Sequence, residues 1–209
     1  MELTERDYLI LRLVHKFRFC LGRHVKVLAG FTGLRATDRR LRALVEAKYL
    51  ARKKYMYGMS YLYTLTHKAR VLLGVNKRED KIRIDTITHD TYVIDAVIYV
   101  TTKFDLSLEA IESEKELHIK DGFGARKHQP DFVFTYAGKS YAVEIELHPK
   151  TKERLDKNIR DNYMNYEGQV WITNDNKTFA LIKSFTSDYS SMEVIRLEEV
   201  LQYVNERYN

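Results

Sequence analysis

The chain has 209 residues, a formal net charge of +6 and a hydrophobic fraction of 44%, which suits one domain or two small ones and excludes a disordered polymer. A single cysteine, Cys20, excludes an internal disulfide and a cysteine-based zinc site. No apolar run approaches the roughly 18 residues of a membrane span, and no basic stretch with a signal core opens the chain, so a cytoplasmic protein with no membrane partner is expected.

Residues 3–19 carry Tyr8, Leu9, Leu11, Leu13, Val14 and Phe17 at near-helical spacing, with Thr4 placed to cap the first turn. A short second helix is expected over 24–31, stopped near Gly30 and Gly33. A third is expected over 37–50, capped by Thr37, with Leu41, Leu44, Val45 and Leu50 inward and Arg39, Arg40 and Arg42 outward. Residues 51–66 read as two short strands about Gly58, and 67–74 as a further helical turn or two. Between residues 23 and 54 stand 10 lysines and arginines against two acids, Asp38 and Glu46, a net of +8; the whole chain is +6, so the remainder sums to −2. The basicity is local, which points to a binding surface for a polyanion.

Three helices followed by a basic, aromatic hairpin is the order of a winged helix-turn-helix. The expected partner is double-stranded DNA. Arg35, Thr37, Arg39, Arg40 and Arg42 would meet the major groove, where arginine reads guanine edges. Lys53, Lys54 and Tyr55 on the wing would hold phosphates or the minor groove. Of the wing tyrosines Tyr55, Tyr57, Tyr61 and Tyr63, at most half can face outward, because alternate strand residues pack inward. The bland alternative is a small helical domain with a solvated basic face, or a winged helix used for protein contacts.

A polar connector is expected over 75–90, and an apolar helix over 91–104 whose β-branched content leaves a strand open. Residues 106–119 read as a strand and a turn of helix, and 122–129 as a basic loop. PDFVFTYAGKSYAVEIEL (130–147) then reads as a β-hairpin turning between Ala137 and Gly138. Paired positions sum to 275, which sets Asp131 opposite Glu144. Asp131, Glu144 and Glu146 share one face, while Phe132, Phe134, Tyr141, Val143, Ile145 and Leu147 share the other, expected to be the core side. Converging carboxylates need a cation: either Lys139, Arg126, Lys127 or Lys150 supplies it, or a divalent metal such as Mg2+ does. His128 and His148 read as surface or capping residues, and Trp171 as core. An amphipathic helix is expected over 150–166 with Leu155, Ile159 and Tyr163 inward, then a strand over 169–175, a helix or strand over 177–185, a strand over 192–197 and a final helix over 198–208. The fold class expected is α+β, a winged helix-turn-helix over 1–76 followed by an α/β unit with a mixed sheet over 77–209.

Pro130-Asp131, the turn, then Glu144-Ile145-Glu146 and a basic helix resemble the PD-(D/E)xK nuclease superfamily. That resemblance implies Asp131 and Glu144 as ligands of Mg2+. It places Glu146 where the superfamily carries the lysine that activates water, as in some restriction endonucleases with Glu-x-Glu; Lys150 or Lys152 would then be the nearest substitutes. LRATDRRLRALVEAKYLARKK, YLYTLTHKARVLLG and PDFVF…YAVEIEL together are similar to the plasmid replication-relaxation family, over roughly residues 5–175. This implies a DNA-binding accessory protein of a plasmid or other mobile element, working at an origin of replication or transfer beside a relaxase or replication protein. The alternatives are a Mg2+-dependent endonuclease or nickase, with Asp131, Glu144 and Glu146 catalytic, and a repressor of its own operon. A homodimer is expected, through the apolar helix 91–104 or the C-terminal helix.

Overall fold

The computed structural model describes residues 2–55, 57–58, 60–75, 81–121 and 128–208. Among these the chain is α+β, with nine α-helices, a small antiparallel sheet and a mixed five-stranded sheet. It divides into two compact units, Met1–Ile94 with Glu206–Asn209, and Asp95–Asn205. Among the described residues no helix is long and apolar enough to cross a membrane.

The first unit begins with α1 (Glu5–Phe17), β1 (Cys20–Leu21), α2 (Gly22–Leu28) and α3 (Leu34–Glu46). It continues with β2 (Leu50–Lys53), β3 (Leu62–Leu65) and α4 (His67–Leu72). The strands are ordered β1-β3-β2, all antiparallel. The two-residue β1 was not expected; it is too short to show a period. Leu50 pairs with Leu65 and Lys53 with Leu62, so the hairpin is centred beside Gly58, whose φ of +78° suits glycine. Ile10, Leu11, Val14, Val25, Leu41, Leu44, Leu62 and Leu65 are all buried and supply the core of this unit.

Helix α3 starts earlier than expected. Gly33 is its N-cap, and Thr37 lies inside the helix with its hydroxyl donating to the Gly33 carbonyl at 3.1 Å. A threonine can bond back to the carbonyl four residues earlier as well as cap, and here it does the former.

The connector expected over 75–90 is partly helical: α5 spans Ile87–Lys103, starting ahead of the expected 91, and the boundary between the units falls within it. The second unit continues through β4 (Ile111–Ser113), α6 (Glu114–Asp121), β5 (Phe132–Tyr136) and β6 (Lys139–Glu146). It ends with α7 (Lys152–Asn165), β7 (Gly168–Thr173), α8 (Asn176–Ser184), β8 (Met192–Arg196) and most of α9 (Leu197–Tyr208). The order is β4-β5-β6-β7-β8, antiparallel up to β6 and parallel after it. Phe132 pairs with Val143 and Tyr136 with Lys139, the register expected for a turn between Ala137 and Gly138. Both turn residues have positive φ, 50° and 75°, the geometry that matches the twist of a tight hairpin.

Both faces of this sheet are core. On one, the Phe134 ring stacks on Tyr141 at 4.9 Å and on Phe104 at 5.6 Å. On the other, Trp171, in register with Glu144, packs with Leu155, Ile159, Ile182 and Phe185. Gly168 opens β7 against the Tyr141 ring; an added Cβ would stand 2.5 Å from that ring and 3.1 Å from the Ser191 carbonyl.

Candidate nucleic-acid interface and acidic site

At about 100° per residue, Arg35, Arg39 and Arg42 fall within a stripe roughly 60° wide on α3, opposite Thr37, Leu41 and Leu44. All three arginines are exposed, and the three opposing residues are buried. Glu46 shares the exposed stripe at its C-terminal end. Beyond the helix, Arg52, Lys53 and Lys54 are exposed on the hairpin. Arg52 lies over the Tyr61 ring at 4.9 Å, Lys53 over Tyr55 at 4.8 Å and Lys54 over Tyr57 at 5.9 Å. Tyr57 and Tyr61, ahead of β3, are exposed, while Tyr63 within β3 is buried.

Two of the residues expected to touch DNA are placed elsewhere. Thr37 is fully buried. Arg40 turns back onto α1: its Nε donates to Asp7 Oδ1 at 2.5 Å and its Nη2 to Oδ2. Asp7 is 0% exposed and also accepts from the Thr4 amide at 2.7 Å and the Thr4 hydroxyl at 2.8 Å. Burial opposes ionisation of Asp7, but the Arg40 and Thr4 hydrogen bonds outweigh it and hold the carboxyl below its ordinary pKa. A buried carboxylate without a cation would cost several kcal/mol, so Arg40 is a fastener between α1 and α3. The helical angle carries this distinction: Arg40 lies about 40° from Leu44, at the border of the buried stripe, whereas its neighbour Arg39 lies about 140° from it.

In the second unit the three acids meet at one end of the β5–β6 hairpin, on the expected face. That face is not solvated, because α7 covers it: Glu144 and Glu146 are each 5% exposed. Each acid has its own partner. Asp131 Oδ2 accepts the Ile145 amide at 2.7 Å. Glu144 Oε1 pairs with His128 Nε2 at 2.6 Å and accepts from Asn162 Nδ2 at 3.0 Å. Glu146 Oε2 pairs with Lys150 Nζ. Of the bases expected to compensate the acids, Lys150 does so; Arg126 and Lys127 lie outside the described residues.

His128 is the correction of most consequence. Expected at the surface, it is largely buried beside Glu144, and burial disfavours its cation. The Glu144 hydrogen bond and charge overcome that penalty and raise its pKa above the ordinary histidine value. Glu144 is itself raised, by burial first and the nearby Asp131 charge second, against the pull of His128. The pair therefore holds a proton more tightly than its separated members would. Asn162 was missed as well. On α7 it lies one turn beyond Asn158, and both are buried, whereas Tyr163, expected inward, is 45% exposed. Two asparagines on the apolar side of a helix were the signal to follow, since buried amides require partners.

Asp131 and Glu144 offer hard oxygen donors across one strand pair, a set that fits a divalent cation completing its shell with water or phosphate oxygens. Among the described residues no group of three or more His, Cys, Asp or Glu converges to hold a metal ion. No protein-family model, curated protein or solved structure matches this chain.

Proposed function

We propose that this chain is a sequence-specific double-stranded-DNA-binding protein whose first unit is a winged helix-turn-helix. The observation that carries this reading is the exposed stripe of Arg35, Arg39 and Arg42, backed by a hairpin whose Lys53, Lys54, Tyr57 and Tyr61 face solvent beside it in sequence. Helix α3 corresponds to a recognition helix and β2–β3 to the wing. Arginines on such a stripe suit guanine edges, and Lys53 and Lys54 suit phosphates. The second unit is read as a PD-(D/E)xK-like domain, on the strength of its acid-bearing hairpin, the following basic helix and the parallel strand β7. The biological role that fits both units is that of an accessory factor at an origin of replication or transfer on a mobile element, beside a relaxase or replication protein.

The experiment is duplex binding across a randomised site library, for the native chain and for the triple Arg35→Ala, Arg39→Ala, Arg42→Ala variant. Selection of a defined site by the native chain, lost in the variant, is the expected result. Binding that the variant retains would sink the assignment of α3. Footprinting then separates roles: protection beside a nick site fits the accessory factor, protection over the chain's own promoter fits a repressor.

A second reading, metal-dependent cleavage, is favoured by one observation: Lys150 brings an ammonium to Glu146, where the resembled superfamily has a lysine in sequence. Asp131 and Glu144 would hold Mg2+, which would stabilise charge on a phosphodiester. Lys150, as an ammonium, would orient the attacking water or the phosphate, and α7 would keep bulk solvent from the acids. Supercoiled plasmid incubated with Mg2+ or Mn2+ tests this; plasmid left intact under both metals removes the reading.

A further inference from the structure

Beside α7 in the second unit lies a cleft of about 480 Å3, within the range of roughly 300–1,000 Å3 typical of small-ligand sites. Two of its lining residues, His128 and Asn162, are those that hold Glu144, so these two side chains form the wall between the cleft and the buried Glu144. The other lining groups that matter are Gln129, Lys157, Asp161, Asn165 and Tyr166.

The chemistry of this lining selects among ligands. A phosphate site would be dominated by cations, and a hydrophobic site by aliphatic side chains. Here three amides, one phenol ring, two lysines (Lys120 and Lys157) and two carboxylates (Asp121 and Asp161) share one wall system with His128 and Leu117, so the charges largely cancel. Amides carry a donor and an acceptor side by side, the pattern that matches the hydrogen-bonding edge of a nucleobase. A carboxylate accepts from an exocyclic amino group, and a tyrosine ring gives a base a stacking surface. Several of these groups are already oriented. The Asn162 amide nitrogen is committed to Glu144, leaving its carbonyl oxygen as an acceptor. The Asn165 amide nitrogen donates to the Asp161 carbonyl at 2.6 Å, and the Gln129 amide nitrogen donates to Asp121 Oδ2, leaving its carbonyl oxygen as an acceptor. Tyr166 keeps its hydroxyl proton, because burial and then the charges of Asp121, Glu112 and Glu144 raise its pKa.

We infer that this cleft binds a single unpaired nucleobase of a DNA strand, with preference for bases that carry an exocyclic amino group, and so sets one nucleotide beside the His128 and Asn162 side chains that hold Glu144. Tyr166 stacks on the base, Asn162, Asn165 and Gln129 meet its edge, Asp161 accepts from its amino group, and Lys157 faces the backbone phosphate. Taking a base out of the stack is easiest where it is bulged or mispaired, so the substrate is a locally opened duplex. The inference rests on the DNA-binding reading for its ligand class, not for its geometry.

The test uses the full chain and three fluorescent probes: a paired duplex, the same duplex with one bulged cytosine, and a short single-stranded oligocytidine. An oligothymidine of equal length and free dCMP serve as comparisons. The native chain should bind the bulged duplex roughly ten-fold more tightly than the paired one, as one stacked base implies. It should also favour oligocytidine over oligothymidine. Asn165→Ala, at an exposed position that leaves the core intact, and Tyr166→Ala should each erase most of that preference, and Asp161→Asn should equalise the two oligonucleotides. Tyr166→Phe should keep the bulge preference, which guards against a folding defect in Tyr166→Ala. Equal affinity for bulged and paired duplexes overturns the cleft while leaving the duplex reading standing. Binding of oligocytidine without any duplex binding supports the cleft and sinks the winged-helix assignment. Binding of dCMP as tight as that of the oligonucleotide would make the ligand a free nucleotide and overturn the strand-bound form proposed.

Discussion

The two hairpins of this molecule have the same local logic and opposite environments. Both turn on residues with positive φ, near Gly58 and at Ala137–Gly138, and both pair as strand alternation dictates. Strand β2 lies at the edge of a three-stranded sheet, and its Arg52 and Lys53 stand in solvent. Strand β6 is the middle strand of a five-stranded sheet, and its residues Ala142 to Glu146 are all buried. Charge on an edge strand is cheap and discourages unwanted pairing. Charge on a central strand must be matched group by group, which is why His128, Asn162, Lys150 and the Ile145 amide are each committed to one acid. Position in the sheet therefore decides whether a charged strand stands in solvent or joins a buried polar network.

The sharpest way to break this contrast is to remove a buried fastener and compare it with an exposed arginine beside it. Arg40→Ala leaves Asp7 buried without its cation and should lower unfolding free energy by about 3 kcal/mol. Arg39→Ala, one residue away and exposed, should change stability by less than about 0.5 kcal/mol. Urea denaturation of the two variants reads the difference; equal destabilisation would mean that α3 is rotated from the orientation described.

The acidic site gives a pH-dependent effect of intermediate size. His128 and Glu144 both have folded pKa values above their unfolded ones, so the folded state binds more protons through that range. Stability from the pair is then fully present at pH values below the unfolded pKa values and is lost as pH rises through the raised ones. Thermal melting of the native chain should show this decline across and above the ordinary histidine range of about 6.5. His128→Gln should flatten it and lower stability at pH 6 by about 1–2 kcal/mol. A steeper decline in the variant would contradict the pairing.

The smallest effect belongs to the wing. Replacing Lys53 and Lys54 with alanine should reduce the salt slope of duplex binding by up to about 2, near 0.9 for each phosphate no longer neutralised. Stability should hardly move. An unchanged slope would take the hairpin out of the interface while leaving α3 in it.

Much of this was legible in the sequence because some signals are local. The hairpin registers follow from turn residues and alternation, and the convergence of Asp131, Glu144 and Glu146 follows from the register. What was not legible depends on what covers an element. Alternation alone cannot tell that the acid face of β6 lies beneath α7, so the acids read as a patch rather than a buried network. Partners such as His128 and Asn162 stand 16 and 18 positions from Glu144, beyond any periodic pattern. Arg40 is a different case. Its helical angle carried the information, and a grouping by charge concealed it.

Gly168 has a practical consequence. The Tyr141 ring and the Ser191 carbonyl leave space there for hydrogen alone, and the residue lies wholly within the second unit. Gly168→Ala is thus a natural conditional lesion: a chain that keeps its basic helix yet loses its larger sheet on warming. If the proposed DNA-binding reading holds, cells carrying it would separate, by temperature shift, duties that need only the first unit from those that need the acidic half as well.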